Sequence, residues 1–349
     1  MNRRGALQGL GAAAMAVGLS RPALAQRRAK PIRLLLNTSV SGPQAWFYLA
    51  EDKGYFAEEG LQVSFTPGGG AYTAAPRLHG SDYDFGYGDI NALIEVAEAH
   101  PGAAPVGVYA MFNASPSTIA VSAAGPIKTL KDLEGRMVVG HASDVALRTF
   151  GVFCAATGID RDKVGVGAFG GGFRDQVEAL HGSDSVHGVF GYVSTIASAM
   201  VEGGTDGNPR IRHLRFADLA PDLYGSVLMA SRRMLETDRA SVSRLVRAIN
   251  RGVSDVVRNP EAGIDAVMRR APYADRKAEM LRLRTTLAIE MAHTEGRRIG
   301  IGAVDTARLE RSIAALARAN GLGRVPPVAE VFSLSFLPPL DQRVRSLAG

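Results

Sequence analysis

The chain has 349 residues, 46% hydrophobic and 21% charged, with one cysteine and a formal net charge of +6. That length exceeds the roughly 100–200 residues of an ordinary domain, so two lobes are expected, each able to bury a core. The apolar content excludes a disordered or fibrous chain, and the lone Cys154 excludes a disulfide scaffold or a cysteine-rich zinc module. Residues 1–25 carry Arg3, Arg4 and Arg21 and no acid, so without them +6 falls to +3. The remaining arginines are scattered along the chain, and nucleic-acid binding is not expected.

At the amino terminus a positive pair, Arg3-Arg4, precedes Ala6–Leu19, which is small and apolar apart from Gln8, and Ala23-Leu24-Ala25 supplies an A-x-A cleavage site. This pattern reads as a signal peptide over residues 1–25, with an apolar stretch too short to span about 30 Å of bilayer. The twin arginine resembles a Tat signal, with Sec export as the alternative. Cys154 lies far from the cleavage site and offers no place there for a lipid anchor. The expectation is a free periplasmic protein.

From Pro31 onward, short aliphatic runs alternate with amphipathic segments. Strands are predicted at Ile32–Leu36, Leu61–Thr66, Asp84–Tyr87 and Ala104–Met111, with helices at Gln44–Lys53, Tyr72–His79 and Asn91–Ala99. An extended run at Ser117–Val121 opens a second set. Its strands are predicted at Met137–Gly140, Val164–Phe169, Val186–Phe190 and Ile211–Arg215, with helices at Val145–Ala156, Asp175–His181 and Thr195–Val201. After a further extended run, Tyr224–Met229, the chain reads as helical over Asp238–Arg258, Ile264–Arg269, Asp275–Met291 and Val304–Ala319. Such alternation predicts an α/β protein with two doubly wound, parallel sheets and a helical C-terminal tail. Lobe I comprises 26–118 and 227–349, lobe II comprises 119–226, and the two extended runs serve as hinge strands beside a cleft.

Three ordered blocks carry a resemblance. Leu49-Ala50-Glu51-Asp52-Lys53-Gly54-Tyr55-Phe56-Ala57-Glu58-Glu59-Gly60-Leu61-Gln62-Val63 is followed by Arg77-Leu78-His79-Gly80-Ser81-Asp82-Tyr83-Asp84-Phe85-Gly86 and by Ile127-Lys128-Thr129-Leu130-Lys131-Asp132-Leu133-Glu134-Gly135. Together they resemble the A-x-x-x-G-Y-F-x-x-x-G-L-x-V, L-x-x-G-x-x-D-F/V-G and I-x-x-x-x-D-L-x-G blocks of one family of periplasmic substrate-binding proteins. That family serves ABC importers for nitrate, taurine, alkanesulfonates and thiamine-pyrimidine precursors. The resemblance implies a type II periplasmic-binding-protein fold, a small-molecule ligand, and a permease with its ATPase as partners. Eukaryotic pyrimidine-precursor synthases resemble this chain in the G-Y-F and G-L-x-V blocks, but they use a cysteine-rich metal site that Cys154 alone cannot supply. Most signature residues read as scaffold.

In open α/β sheets, ligands sit outside the carboxyl ends of the strands. That rule selects Asn37, Ser39, Ser41, Gln44 and Trp46 after the first strand, and Gly69, Gly70 and Tyr72 after the second. It selects Gly88 and Asp89 after the third and Phe112 and Asn113 after the fourth. From the second lobe come His141, Ser143, Asp144 and Tyr192. Each has a second reading. Gly68–Gly70 either cradles an anion on bare amides or is a flexible turn. Asp89 and Asp144 either cap helices or meet a cationic ligand, and Trp46 either packs in the core or stacks on a planar one. Tyr192 offers both a ring and a hydroxyl.

Gly165-Val166-Gly167-Ala168-Phe169-Gly170 has the G-x-G-x-x-G form, but its first two glycines fall inside a predicted strand and no acidic residue sits about 20 positions on at a strand end. The chain contains no H-E-x-x-H, C-x-x-C, G-x-S-x-G or P-loop. A non-enzymatic, monomeric solute-binding protein without cofactor or metal is therefore expected. A periplasmic enzyme or a sensor of the same fold is the alternative. Two ligand classes remain open. An anion would use Ser39, Ser41 and the glycine loop, and a flat, amino-bearing molecule would use Trp46, Tyr192 and Asp89.

Overall fold

The computed structural model describes residues 29–202, 211–345 and 347, so the predicted signal segment 1–25 lies outside the described residues. Among the described residues ten strands form two five-stranded sheets. They are β1 (Lys30–Leu35), β2 (Leu61–Thr66), β3 (Phe85–Asp89), β4 (Val106–Ala110), β5 (Ser117–Ser122), β6 (Met137–Gly140), β7 (Gly165–Ala168), β8 (Gly188–Tyr192), β9 (Ile211–Arg215) and β10 (Ser226–Ala230). The first sheet has the order β2-β1-β3-β10-β4 and the second β7-β6-β8-β5-β9. Helices cover both faces, giving the α/β class read from the sequence.

Two features differ from the sequence reading. The sheets are mixed, because β10 runs antiparallel to β3 and β4, and β5 runs antiparallel to β8 and β9. Both strands are buried along nearly their whole length, and a run buried on both faces has the same hydrophobic pattern in either direction. The expected hinge strands, Ser117–Val121 and Tyr224–Met229, are thus largely sheet strands. The chain crosses between the sheets in the segments just before them, 111–116 and 216–225.

The tail is not confined to the first sheet. Helices Arg239–Arg258 and Pro260–Arg270 pack on helix Ala45–Asp52. Helix Arg276–Thr285 lies along Val193–Glu202, and Thr306–Asn320 packs on Phe150–Thr157, both beside the second sheet. One apolar cluster accordingly runs from Ile90 and Leu93 through Leu309 and Ile313 to Phe150 and Phe190. Both crossings are fastened to this tail by a buried ion pair, Arg308 to Glu295 at 2.9 Å. Glu295 accepts hydrogen bonds from the Tyr224 hydroxyl at 2.8 Å and from Asn113 Nδ2 at 3.1 Å. Arg308 also donates to the Leu223 carbonyl at 3.0 Å. Among the described residues no helix is long and apolar enough to cross a membrane.

Candidate functional site

A cavity of about 410 Å³ opens between the two sheets, at the carboxyl ends of their strands. The first sheet contributes Asn37 to Ser41 after β1, Gly68 to Ala71 after β2, and Phe112 after β4. The second contributes His141, Ser143, Asp144 and Val145 after β6, Phe173 after β7, and Tyr192, Ser194 and Thr195 around the end of β8. Arg282 and Glu290 enter from the tail.

The glycine loop is held by close approach. A Cβ on Gly68 would fall on the Leu36 and Asn37 carbonyl oxygens, the latter at 2.7 Å. Gly70 has φ +128°, a region open to glycine, and its amide donates to the Asn37 carbonyl at 2.7 Å. A Cβ built on Gly70 would stand 3.1 Å from Ser143 Oγ, so the two lobes meet at this rim.

Among the sixteen predicted residues, Asn37, Ser39, Ser41, Gly69, Gly70, Phe112, His141, Ser143, Asp144 and Tyr192 line the cavity. The other six stand behind it. Trp46 is fully buried, edge-on to Phe47, Tyr87 and Phe112, and belongs to the core. Tyr72 is buried with the Arg148 guanidinium 5.5 Å from its ring centre. Gly88 is pressed against Ala71 and Ala74. Asn113 serves the Glu295 network. Gln44 acts at one remove: its Nε2 donates to Asn37 Oδ1 at 2.7 Å, and its Oε1 accepts from the Tyr48 hydroxyl at 3.0 Å, which fixes Asn37 in the wall.

The two aspartates separate. Asp89 caps helix Ile90–Ala99, accepting from the Asn91 amide at 2.9 Å and from Asn91 Nδ2 at 2.8 Å. Asp144 occupies the equivalent position before Val145 with no capping bond, and its Oδ2 has no partner among the described residues. Burial raises both carboxyls to about 7, with the Asn91 bonds opposing this at Asp89 and the Ala146 amide at Asp144.

Glu290 and Arg282 were missed by the sequence reading. The predicted helix Asp275–Met291 ends as an α-helix at Thr285 and continues as a π turn, closed by the Met291 amide on the Thr286 carbonyl at 3.0 Å. Glu290, at the end of that turn, is 1% exposed, and neither carboxylate oxygen has a hydrogen-bond partner among the described residues. Burial raises its pKa, while nearby Ser194, Thr286 and Arg282 pull the other way. The available signal was a single acid within Thr285-Thr286-Leu287-Ala288-Ile289-Glu290-Met291-Ala292, which is otherwise uncharged. The Tyr192 hydroxyl is likewise buried and unpartnered, and its phenol is held protonated first by burial and then by the field of Asp89, Asp144 and Glu290. Among the described residues no group of three His, Cys, Asp or Glu is placed to hold a metal.

A family profile described as NMT1/THI5 like matches residues 43–263. The chain belongs to this family. None of the curated proteins compared with it matches its sequence. Among solved structures it is similar to the periplasmic aliphatic sulphonate binding protein SsuA from Escherichia coli, at 16% identity and a TM-score of 0.65 over 86% of this chain and 96% of that one. It is also similar to the ligand-binding component of an ABC-type import system from Staphylococcus aureus with zinc bound, at 10% identity and a TM-score of 0.65 over 91% and 100%. A desulfurization enzyme, DszB in complex with biphenyl-2-sulfinic acid, shares the fold at 14% identity and a TM-score of 0.59 over 89% and 98%. The family member described here thus has the periplasmic binding protein fold, which binding proteins and at least one enzyme use.

Proposed function

We propose that this chain is the solute-binding component of an ABC importer, exported to the periplasm, which captures a small organic molecule in the inter-lobe cavity and passes it unchanged to a membrane permease. The observation that carries this reading is the cavity itself. It joins loops of both sheets and the tail, and it is lined by polar groups, Glu290, Asp144 and Tyr192, whose hydrogen-bonding capacity the described residues leave unused. Buried polar groups left without partners are costly, and a ligand that supplies them recovers that cost. A cavity of about 410 Å³ falls in the range of small-molecule sites.

Binding rather than turnover is favoured by what lines the wall. Cys154 is buried in the second lobe away from the cavity, and burial pushes its thiol up to about 12, far from a reactive thiolate. Ser143 and His141 both line the cavity, yet no hydrogen bond joins them among the described residues, and the His141 ring instead packs edge-on to Phe173 at 5.9 Å. Such a wall presents no activated nucleophile. The test is a thermal-shift screen of cationic, anionic and neutral solutes, with each stabilising solute recovered and weighed by mass spectrometry. The proposal requires at least one solute that raises the melting temperature and returns unaltered. A stabilising solute that returns chemically changed would make the protein an enzyme.

A further inference from the structure

The charged side chains lining the cavity are two acids and one guanidinium, a balance weighted toward a cation. Asp144 and Glu290 line the cavity, 8% and 1% exposed, with Asp144 Oδ2 and both Glu290 oxygens unpartnered among the described residues, and the Asp89 charge also reaches Tyr192. Among the described residues Arg282 is the one guanidinium in the lining; it stands 3.9 Å from Glu279, its charge also acts on Glu290, and its Nε is buried without a partner. A sulfonate placed here would meet two carboxyls against a single guanidinium, Arg282, whose charge already acts on Glu290. The same cavity presents three aromatic side chains, Phe112, Phe173 and Tyr192. Aromatic faces together with carboxylates are what a desolvated organic cation requires, since the ring quadrupole and the acid attract the same charge.

We propose that the cavity takes an organic cation carrying N–H donors, an ammonium or amidinium whose nitrogens are held by Asp144 and Glu290 while its apolar body lies against Phe112, Phe173 and Tyr192. This inference rests on the solute-binding reading above and names the ligand class for that site. The two acids come from separate parts of the fold, one from the β6 loop and one from the tail, so a cation bound to both draws the second lobe and the tail together. Burial raises the Asp144 carboxyl to about 7 and shifts Glu290 in the same direction, so a cation that pairs with Asp144 displaces a proton as it enters.

The probes are benzamidine, a flat cation, and benzenesulfonate, an anion of similar size, titrated by calorimetry into the intact protein. Benzamidine is expected to bind and benzenesulfonate not to bind. Benzamidine affinity should rise roughly tenfold between about pH 5.5 and 7.5, with proton release that changes with the ionisation heat of the buffer. Glu290→Gln and Asp144→Asn should each weaken benzamidine roughly tenfold or more. Both variants keep the side-chain shape and should melt, empty, at or above the parent temperature, which separates lost binding from lost folding. Benzenesulfonate binding in place of benzamidine, or variants that hold benzamidine as tightly as the parent, would overturn the cation assignment and leave the solute-binding reading standing. A probe recovered chemically altered would overturn the solute-binding reading itself.

Discussion

Asp144→Asn should change how the empty protein responds to pH. The Asp144 carboxyl is raised by burial from its ordinary 3.8 to about 7 in the fold. Between those values the folded chain holds a proton that the unfolded chain releases, so this group's contribution to stability is full below about pH 4 and is lost as pH rises through about 7. Each tenfold change in ionisation is worth about 1.4 kcal/mol. Integrating the linkage from about pH 5.5 to 7.5 gives a loss of about 2 kcal/mol from Asp144 alone. The titratable and charged groups that line the cavity with it, Tyr192, Glu290, Arg282 and His141, remain in the variant, so the difference between parent and Asp144→Asn isolates this term. The assay is denaturant unfolding of both proteins at the two pH values. The parent should lose about 2 kcal/mol more than the variant over that interval. Parallel pH profiles would mean that the Asp144 carboxyl is solvated or paired in solution, and the electrostatic account of the cavity would fail.

Other positions give sharper structural tests. Gly68→Ala places a methyl on the Leu36 and Asn37 carbonyls, so the loop must move, costing about 1–3 kcal/mol in denaturant unfolding and weakening any cavity ligand. Arg308→Leu leaves Glu295 buried without its counter-ion and should cost about 3–5 kcal/mol by the same assay; an effect below about 1 kcal/mol would show that the crossings are not fastened through this pair. Tyr192→Ala should weaken a bound solute by about 1–3 kcal/mol in calorimetry, as expected for loss of a ring and hydroxyl anchor. Tyr192→Phe removes only an unpartnered hydroxyl and should leave unfolding stability unchanged or slightly raised. Unchanged affinity in both Tyr192 variants would remove that residue from the site.

The architecture was legible where periodicity and punctuation agree. The strands predicted at Leu61–Thr66 and Met137–Gly140 have those same bounds in the structure, each lying between loop or turn segments. Strand direction was not legible, because β5 and β10 are buried runs whose side chains carry no trace of which way the neighbouring strand runs. The strand-end rule brought Asn37, Phe112, His141, Asp144 and Tyr192 to one cavity, since loop position follows from topology. It also selected Trp46 and Gln44, which share that loop region but point into the core and toward Asn37. Sequence distance hid Glu290, which reaches the cavity only because the tail returns across both lobes. The same return adds tail packing on helices Val193–Glu202 and Phe150–Thr157 to the two crossings that join the sheets.

The account stands or falls on a solute held intact in the cavity between the sheets. Native mass spectrometry of the protein with a stabilising solute from the screen tests this directly, in parent and Gly68→Ala side by side. One solute per chain, of unchanged mass, retained by the parent and lost from the variant, is the predicted spectrum. Equal retention by both proteins would place the solute elsewhere, and a solute released with altered mass would replace capture with chemistry.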